Sequence, residues 1–293
     1  MFFDLNKGLK MQYNGDNWDI VITPRRKWYE LRLGEVYKYR DLIWLLVKRS
    51  FSAQYKQTVL GPLWFIINPL ITSFISTLVF GNIAGIESDG VPYFLFYLCG
   101  YTLWNYFSTC VNQTSTTFTT NANIMGKVYF PRLTMPISAV IFSALNMIII
   151  FALSVIAMIV YMVHGYDIQI SGVVCIIPIL MLQTAVLGLS VGIIISSLTT
   201  KYRDLTILVS FGIQLWMYIT PVVYPMTAVD GALKTVILLN PMSAVIQNYK
   251  YALLGIGTFE PLYWLISVIV TGVLFLLGVL LFNNVEQTFM GTV

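Results

Sequence analysis

Charged residues are scarce in this chain. Asp, Glu, Lys and Arg make up only 10% of its 293 residues, whereas a soluble domain carries about 25%. Apolar residues reach 57%, and the mean hydropathy is +0.77. A soluble globule of this size could not bury so much apolar surface, and intrinsic disorder needs the opposite balance. The composition therefore excludes an ordinary soluble enzyme and a disordered chain, and it is typical of a multi-pass membrane protein.

Histidine and cysteine are also scarce. The single histidine, His164, excludes a multi-histidine metal centre. The three cysteines, Cys99, Cys110 and Cys175, lie in apolar stretches, which argues against a disulfide framework or a metal site and favours small buried hydrophobes. A phosphate-binding loop is missing as well, because Gly126-Lys127 lacks the upstream glycine of that motif. We expect no cofactor in this chain, so that energy for any transport must come from another protein.

Six apolar segments without Asp, Glu, Lys or Arg predict an all-α integral membrane protein with six transmembrane helices. Each segment has at least about 20 residues, enough to cross a hydrocarbon core of about 30 Å. Eleven of the 17 bases precede Leu60, and the loops then alternate between basic and non-basic. By the positive-inside rule both termini are cytoplasmic, with Lys234 and Lys250 as the two outer bases. The segments are residues 63–86, 92–117, 134–163, 172–199, 205–224 and 262–283.

The remaining stretches complete the predicted architecture. Residues 1–39 read as a cytoplasmic extension without a signal peptide, and residues 285–293 as a cytoplasmic tail. Residues 40–60 predict an amphipathic helix in the cytoplasmic membrane interface, and residues 61–284 form the membrane domain. Residues 225–261 are apolar but interrupted by proline and glycine, which indicates a re-entrant helical hairpin in the outer leaflet. The alternative for this last stretch is a seventh span, which would place the tail outside.

The placement of the acidic residues limits the function. All 13 lie outside the six apolar segments, whereas an intramembrane enzyme needs paired carboxylates, an activated nucleophile or a metal site. Proton or sodium coupling also lacks an evident carrier within the spans. These exclusions leave a pore-forming subunit driven by a partner, or a receptor or scaffold.

Aromatic residues with polar tips suggest where a substrate could pass. In the second and fifth segments such rings can stack on the faces of sugars while donating hydrogen bonds; the alternative is the aromatic belt of a membrane interface. The candidate channel residues are Tyr97, Tyr101, Trp104, Trp216 and Tyr218. Residues 112–120, NQTSTTFTT, form either a wet vestibule or a helix that continues into the cytoplasm, and we favour the second interpretation.

Five groups of residues resemble the membrane subunits of polysaccharide-export permeases in the ABC type-2 exporter family. They occur in the family's order from about residue 20 to the end of the chain, and the likeness is strongest to permeases that export O-antigen or capsule. The matching stretches are Tyr55-Lys-Gln-Thr-Val-Leu-Gly-Pro-Leu-Trp64 with Asn68-Pro-Leu70, Lys127-Val-Tyr-Phe-Pro-Arg132 with Pro136, Tyr202-Arg-Asp-Leu205, Trp216-Met-Tyr-Ile-Thr-Pro-Val-Val-Tyr-Pro225 with Asn240-Pro-Met242, and Val285-Glu-Gln-Thr-Phe289.

The resemblance implies a homodimer with its pore at the subunit junction. It implies two copies of a separate ATPase, which binds ATP and Mg²⁺ and in this family can carry a carbohydrate-binding domain; no nucleic acid is expected among the partners. The cargo would be a polyisoprenoid-diphosphate-linked O-antigen crossing a bacterial inner membrane. Capsular polysaccharide or teichoic acid is the alternative cargo, and an enzyme of lipid-linked sugar metabolism the alternative class.

The resemblance also suggests roles for two sets of residues. The displacement that the ATPase generates would be received by Tyr129, Phe130, Pro131 and Arg132. The alternative for Arg132 is an anchor to lipid headgroups. Lys48, Arg49 and Lys56 would bind the diphosphate of the lipid carrier, with headgroup binding as the alternative.

Overall fold

A computed structural model describes residues 33–56, 60–125, 130–199 and 204–289, and every regular element in these ranges is a helix. Short 3₁₀ or π turns at Gly61–Leu63, Thr77–Ile83, Val174–Ile176 and Met226–Ala228 extend or connect the α-helices. The α-helices are α1 (Leu33–Lys38), α2 (Arg40–Tyr55), α3 (Trp64–Ser76), α4 (Tyr93–Ser115), α5 (Thr117–Met125), α6 (Thr134–Val163), α7 (Ile177–Thr199), α8 (Leu205–Ile219), α9 (Gly231–Leu239), α10 (Pro241–Leu254) and α11 (Pro261–Phe289).

Four helical stretches are long and apolar enough to cross a membrane. They are Gly61–Ile83, Thr134–Val163, Val174–Thr199 and Pro261–Val285, and they coincide with four of the six predicted segments. The other two predicted segments differ in kind. The helix α4 has 23 residues but is more polar, and the apolar helix α8 has only 15 residues. The all-helical fold is thus confirmed, with four candidate membrane spans among the described residues.

The polar helix α4 is the centre of the fold. Its neighbours are α3, α6, α7, α8 and α10, and 16 of its 23 residues are buried. Large apolar side chains on the surrounding helices instead point outward, among them Phe74 on α3, Ile148 on α6 and Leu265 on α11. This arrangement suits a lipid environment, in which outer apolar faces need no further cover and the more polar helix lies inside.

Glycine lets α4 and α7 approach closely. Gly188 and Gly192, four residues apart on α7, face Cys110 and Thr114 of α4, and a Cβ added at Gly188 would lie 2.7 Å from the Cys110 Cβ. One at Gly192 would overlap the Thr114 side chain. Small residues at this spacing are typical of membrane helix contacts, where backbone proximity and van der Waals packing replace the hydrophobic effect.

Replacing Gly192 by leucine tests this contact. We expect Gly192→Leu to force α4 and α7 apart and to destabilise the protein, because overpacking a tight interface costs about 1–3 kcal/mol. The measurement is the thermal unfolding midpoint in detergent. Gly272→Leu is the matched control, since a Cβ at Gly272 of α11 meets nothing within 4 Å. Equal midpoints for the two variants would contradict the predicted contact.

Two short helices occupy the region predicted as a hairpin. Asn240 caps α10 by accepting a hydrogen bond from the Met242 N–H (3.2 Å), and Gly255 ends the helix in the left-handed conformation, with φ of 70°. The helix α10 is buried along most of its length, whereas α9 exposes apolar side chains such as Leu233 and Val236. The α9–α10 pair therefore packs onto the helix bundle through α10.

The helix α2 begins as predicted but ends at Tyr55 in the described range. The residues Trp44, Val47, Phe51 and Tyr55, whose spacing places them on one side of this helix, do not share one environment. Val47 and its neighbour Leu46 are buried, and α2 packs on α6, whereas Trp44 and Phe51 are exposed. The helix thus has one face on the protein and an aromatic face away from it.

Candidate functional site

A continuous polar stripe runs along the partly exposed face of α4. From Tyr101 onwards every half-exposed residue of the helix and of its junction with α5 is polar and uncharged. The stripe consists of Tyr101, Asn105, Ser108, Thr109, Asn112, Gln113 and Thr116. Amides and hydroxyls that face hydrocarbon without partners are costly. The stripe is therefore suited to a water-filled path or to another protein surface, and not to lipid.

Two asparagines join α4 to α6 in the middle of the stripe. The Asn146 Nδ2 of α6 donates to the Asn105 Oδ1 (3.3 Å), and the Asn105 Nδ2 donates to the Tyr101 hydroxyl (3.1 Å). The Asn146 Oδ1 is buried, and within the described structure it has no hydrogen-bond partner. Asn146, Asn105 and Tyr101 are thus linked in series by hydrogen bonds, and we call this series the amide ladder. Its acceptor without a partner, the Asn146 Oδ1, is one that a hydroxyl-bearing ligand or a water molecule could satisfy.

The C-terminal half of the stripe contacts both α6 and α8. The Ser210 hydroxyl of α8 donates to the Asn112 Oδ1 (3.1 Å), and the Ser143 hydroxyl of α6 donates to the Gln113 Oε1 (3.2 Å). Asn112 also donates to Ser108 one turn earlier (3.4 Å). Since these bonds use neutral groups, the stripe offers many donors and acceptors but no fixed charge.

The predicted channel aromatics fall into two groups. Tyr97 and Tyr101 stack with ring centroids 5.7 Å apart at the N-terminal end of the stripe, and Tyr218 of α8, 60% exposed, lies near Tyr97. Trp104 and Trp216 instead both pack on Phe107, at 5.5 Å and 5.3 Å, and Trp104 is buried in the core. Tyr101 belongs to the stripe and Tyr218 is exposed near its N-terminal end, whereas Tyr97 and Trp104 are each only 3% exposed. The role of these aromatic residues in a channel stays a prediction.

The three predicted phosphate-binding bases do not form one cluster. Arg49 and Lys56 share a recess with Ser52 and Ala53 on one face of α2, whereas the Lys48 Nζ lies 5.7 Å from the ring centroid of Trp44 on another face.

Arg49 also borders a cavity of about 290 Å³ between α2, the α4–α5 junction and α6. Its other polar lining includes Gln54, Gln113, Thr117, Asn121 and Ser138. Because Gln113 belongs to both features, the cavity adjoins the C-terminal end of the polar stripe.

The predicted coupling residues are mostly buried. Tyr129 lies outside the described residues. Phe130 packs in a core cluster that contains the stacked rings of Phe118 and Phe282, whose centroids are 4.6 Å apart. Arg132 is only 3% exposed, which argues against the alternative of a headgroup anchor. Phe130 and Arg132 would therefore pass on a displacement through α5, α6 and α11; their coupling role stays a prediction.

The comparison with known protein families decides the class. The profile of the ABC-2 type transporter family matches residues 41–254, which include the polar stripe and both faces of α2. The chain belongs to the ABC-2 type transporter family. It is thus a membrane subunit of a transporter and not an enzyme, as the sequence predicts.

Curated relatives of this ABC-2 transporter subunit cover most of its length. An O-antigen export system permease protein RfbA from Klebsiella pneumoniae is 27% identical over 250 residues, which are 85% of this chain and 93% of the relative. A second such permease from the same organism has the same identity over 249 residues, with equal coverage. The RfbA permease of Myxococcus xanthus is 29% identical over 218 residues, or 74% of this chain and 81% of the relative.

Sequence reasoning overlooked the amide ladder of this ABC-2 subunit. The available signal was the spacing of 4, 3 and 4 residues from Tyr101 through Asn105 and Ser108 to Asn112, which places polar groups on one helical face. The predicted channel aromatics drew attention to the same helix, but Tyr97 and Trp104 lie on its buried side. Asn146 lies alone in an apolar helix, so its contact with Asn105 was not visible in the sequence.

Substitution of Asn105 tests the importance of the stripe. We expect Asn105→Leu to lower transport at least about tenfold, because it removes the donor to Tyr101 and leaves the Asn146 amide without its acceptor, at a cost of about 1–3 kcal/mol for the unsatisfied group. Asn105→Ser, which keeps a small polar group, should retain more transport than the leucine variant. Cargo export in cells with matched membrane levels is the measurement. Leucine and serine variants of equal activity would contradict this role.

Proposed function

We propose that this chain is the channel-forming permease subunit of an ATP-driven exporter that moves polyisoprenoid-diphosphate-linked O-antigen polysaccharide across the bacterial inner membrane. The observation that carries the proposal is the uncharged polar stripe on α4, within an otherwise apolar bundle. The names of the relatives, all O-antigen export permeases, support the choice of cargo.

The chemistry of the stripe suits a polysaccharide. Sugars present a dense series of hydroxyls, which exchange hydrogen bonds with amides and hydroxyls in many equivalent registers. Neutral groups such as those of Asn105, Asn112 and Gln113 can therefore hold a moving polymer without trapping it at one position. Tyr101 adds a half-exposed ring with a polar tip, stacked on the buried Tyr97, and a sugar face can slide on it.

A single copy encloses the stripe on one side only. The helices α6 and α8 contact it laterally, but its residues remain half-exposed. We infer a homodimer in which a second copy closes the path at the subunit junction. Two copies of a separate ATPase, with or without a carbohydrate-binding domain, would bind ATP and Mg²⁺ on the cytoplasmic side, since family membership implies an ATPase partner.

The membrane arrangement completes the proposal. The helix α4 and the helix α8 with its non-helical continuation to Tyr224 would add two crossings to the four apolar spans, giving six. The helices α9 and α10 would form the re-entrant hairpin in the outer leaflet. Both termini would be cytoplasmic, in accord with the placement of the basic loops.

Reconstitution tests this function. The chain, combined with its cognate ABC ATPase in lipid vesicles, should move lipid-linked O-antigen across the bilayer only when ATP is hydrolysed. The permease alone should neither hydrolyse ATP nor pass the polymer. ATP-driven movement of teichoic acid or capsular polymer, without movement of O-antigen, would reject the cargo. Polymer passage by the permease alone would reject the mechanism.

The recess beside α2 is the candidate site for the diphosphate end of the cargo. Arg49 provides a planar guanidinium that can bind phosphate oxygens in a bidentate manner, and Lys56 lies on the same face. The cavity next to Arg49 reaches Gln113, so a lipid diphosphate held there would present its first sugars to the polar stripe. Lys48 lies apart from this recess, against Trp44.

Arg49 and Lys48 form a matched pair for a test. Arg49→Gln should raise the concentration of lipid-linked polymer that half-stimulates the ATPase about tenfold, because a hydrogen bond to a charged group is worth about 1.5–3 kcal/mol. Lys48→Gln removes the same charge from another face of the helix and should change that concentration no more than about twofold. The assay is the ATPase rate of the reconstituted complex against polymer concentration. Equal effects of the two substitutions would contradict a specific site at Arg49.

A further inference from the structure

A lysine is buried in α10. Lys250 is only 3% exposed, although the sequence places it in an outer loop. Its Nζ donates to the carbonyl oxygens of Pro221 (2.9 Å) and Val222 (3.1 Å) and lies 3.4 Å from the ring centroid of Phe96 on α4. The three N–H groups of the ammonium thus face two carbonyls and one aromatic ring.

The carbonyls that Lys250 binds belong to the non-helical break after α8. Residues 220–225 leave the helix at Thr220, and Val222 and Val223 are buried, so their backbone groups need internal partners. The Tyr93 hydroxyl of α4 donates to the Val223 carbonyl, and the Asn240 Nδ2 donates to the Thr220 Oγ1 (3.0 Å). Side chains from α4, α10 and the α9–α10 junction therefore hold this break in place.

Gly100 provides the space for the lysine. A Cβ added at this position of α4 would lie 2.9 Å from the Lys250 Cε and 3.2 Å from the Val222 carbonyl oxygen. Even a methyl group would press on both partners of the hydrogen bond. The glycine on α4 and the lysine on α10 therefore form one structural unit with the break after α8.

We propose that Lys250 is a positioning residue for transport, which holds the outer end of α8 against α4. Its ammonium is fully engaged by protein groups, so it acts on cargo through α8 and not by contact. The helix α8 carries Trp216 and Tyr218 just before the break, and Ser210 bonds to the polar stripe from the same helix. The effect on transport rests on the proposed function. The contacts by which Lys250 holds residues 220–225 do not depend on it.

Two substitutions remove the hold in different ways. Lys250→Met keeps the length of the side chain but removes its donors, and Lys234→Met, on the half-exposed neighbouring helix α9, is the control for the same change of charge. Gly100→Ala keeps the lysine but displaces it, and Gly272→Ala is its control, because that site has no close neighbour. If Lys250→Met fails to assemble, the milder Gly100→Ala decides the question.

The first measurement is hydrogen–deuterium exchange of the permease with its ATPase in lipid nanodiscs, which needs no cargo. We expect exchange in peptides that cover residues 217–226 to rise at least about tenfold in Lys250→Met and Gly100→Ala, since a buried charged hydrogen bond is lost. Peptides from α7 and both control variants should stay within about twofold of the unchanged protein. Unchanged exchange at 217–226 in both test variants would overturn the proposal.

The second measurement separates positioning from a general loss of folded protein. The concentration of lipid-linked polysaccharide that half-stimulates the ATPase should rise at least about fivefold in the test variants, while the ATPase rate without polymer stays within about twofold. Misfolding would lower the ATPase rates with and without polymer in the same proportion. It would leave the half-stimulating polymer concentration unchanged. Faster exchange with an unchanged concentration would overturn the positioning role. If polymer fails to stimulate even the unchanged complex, the proposed cargo fails, and the exchange result still decides whether Lys250 holds the break.

Discussion

The hydrocarbon core of a membrane offers no hydrogen bonds, so each polar group placed there must find a partner within the protein or face water. This constraint explains the arrangement of α4. On its inward faces the hydroxyl of Thr102 donates to the Leu98 carbonyl and contacts Ser154 of α6, which leaves no demand for outside partners. On its open face the amides of Asn105 and Asn112 are only partly satisfied by neighbouring helices. That imbalance supports the proposed path for a hydroxyl-rich cargo.

The same constraint shapes the packing and the breaks in the helices. Apolar attraction between helices is weak in lipid, and Gly188 and Gly192 therefore bring α7 against α4 by close backbone contact. Where the chain leaves helical geometry after α8, buried carbonyls require donors, and Lys250 supplies two of them. A lysine side chain that would be costly in lipid is accommodated here because the carbonyl oxygens of Pro221 and Val222 and the Phe96 ring surround its amine. The glycine contacts thereby fix α4 against α7, and Lys250 fixes the break after α8 against α4.

Hydropathy predicted the apolar spans well, because an apolar run of sufficient length has one stable solution in a bilayer. The segment predicted at 134–163 is the helix Thr134–Val163, and 262–283 lies within Pro261–Val285. Contacts between distant residues were not predictable in this way. Asn105 and Asn146 are 41 residues apart, and Lys250 lies 28 residues from the Val222 carbonyl that it binds. The burial of Arg132 was likewise not predictable from the sequence, since a basic residue beside an apolar segment is equally typical of a headgroup anchor.

We expect the open face of α4 to meet water and not lipid. The direct test is the rate at which a membrane-impermeant thiosulfonate modifies Ser108→Cys in the assembled transporter, in a Cys175→Ser background where the remaining Cys99 and Cys110 are buried. Ile148→Cys on the apolar outer face of α6 is the reference. Since such reagents need a hydrated thiolate, the account predicts rapid modification of Ser108→Cys and none of Ile148→Cys. A Ser108→Cys variant as unreactive as Ile148→Cys would contradict it.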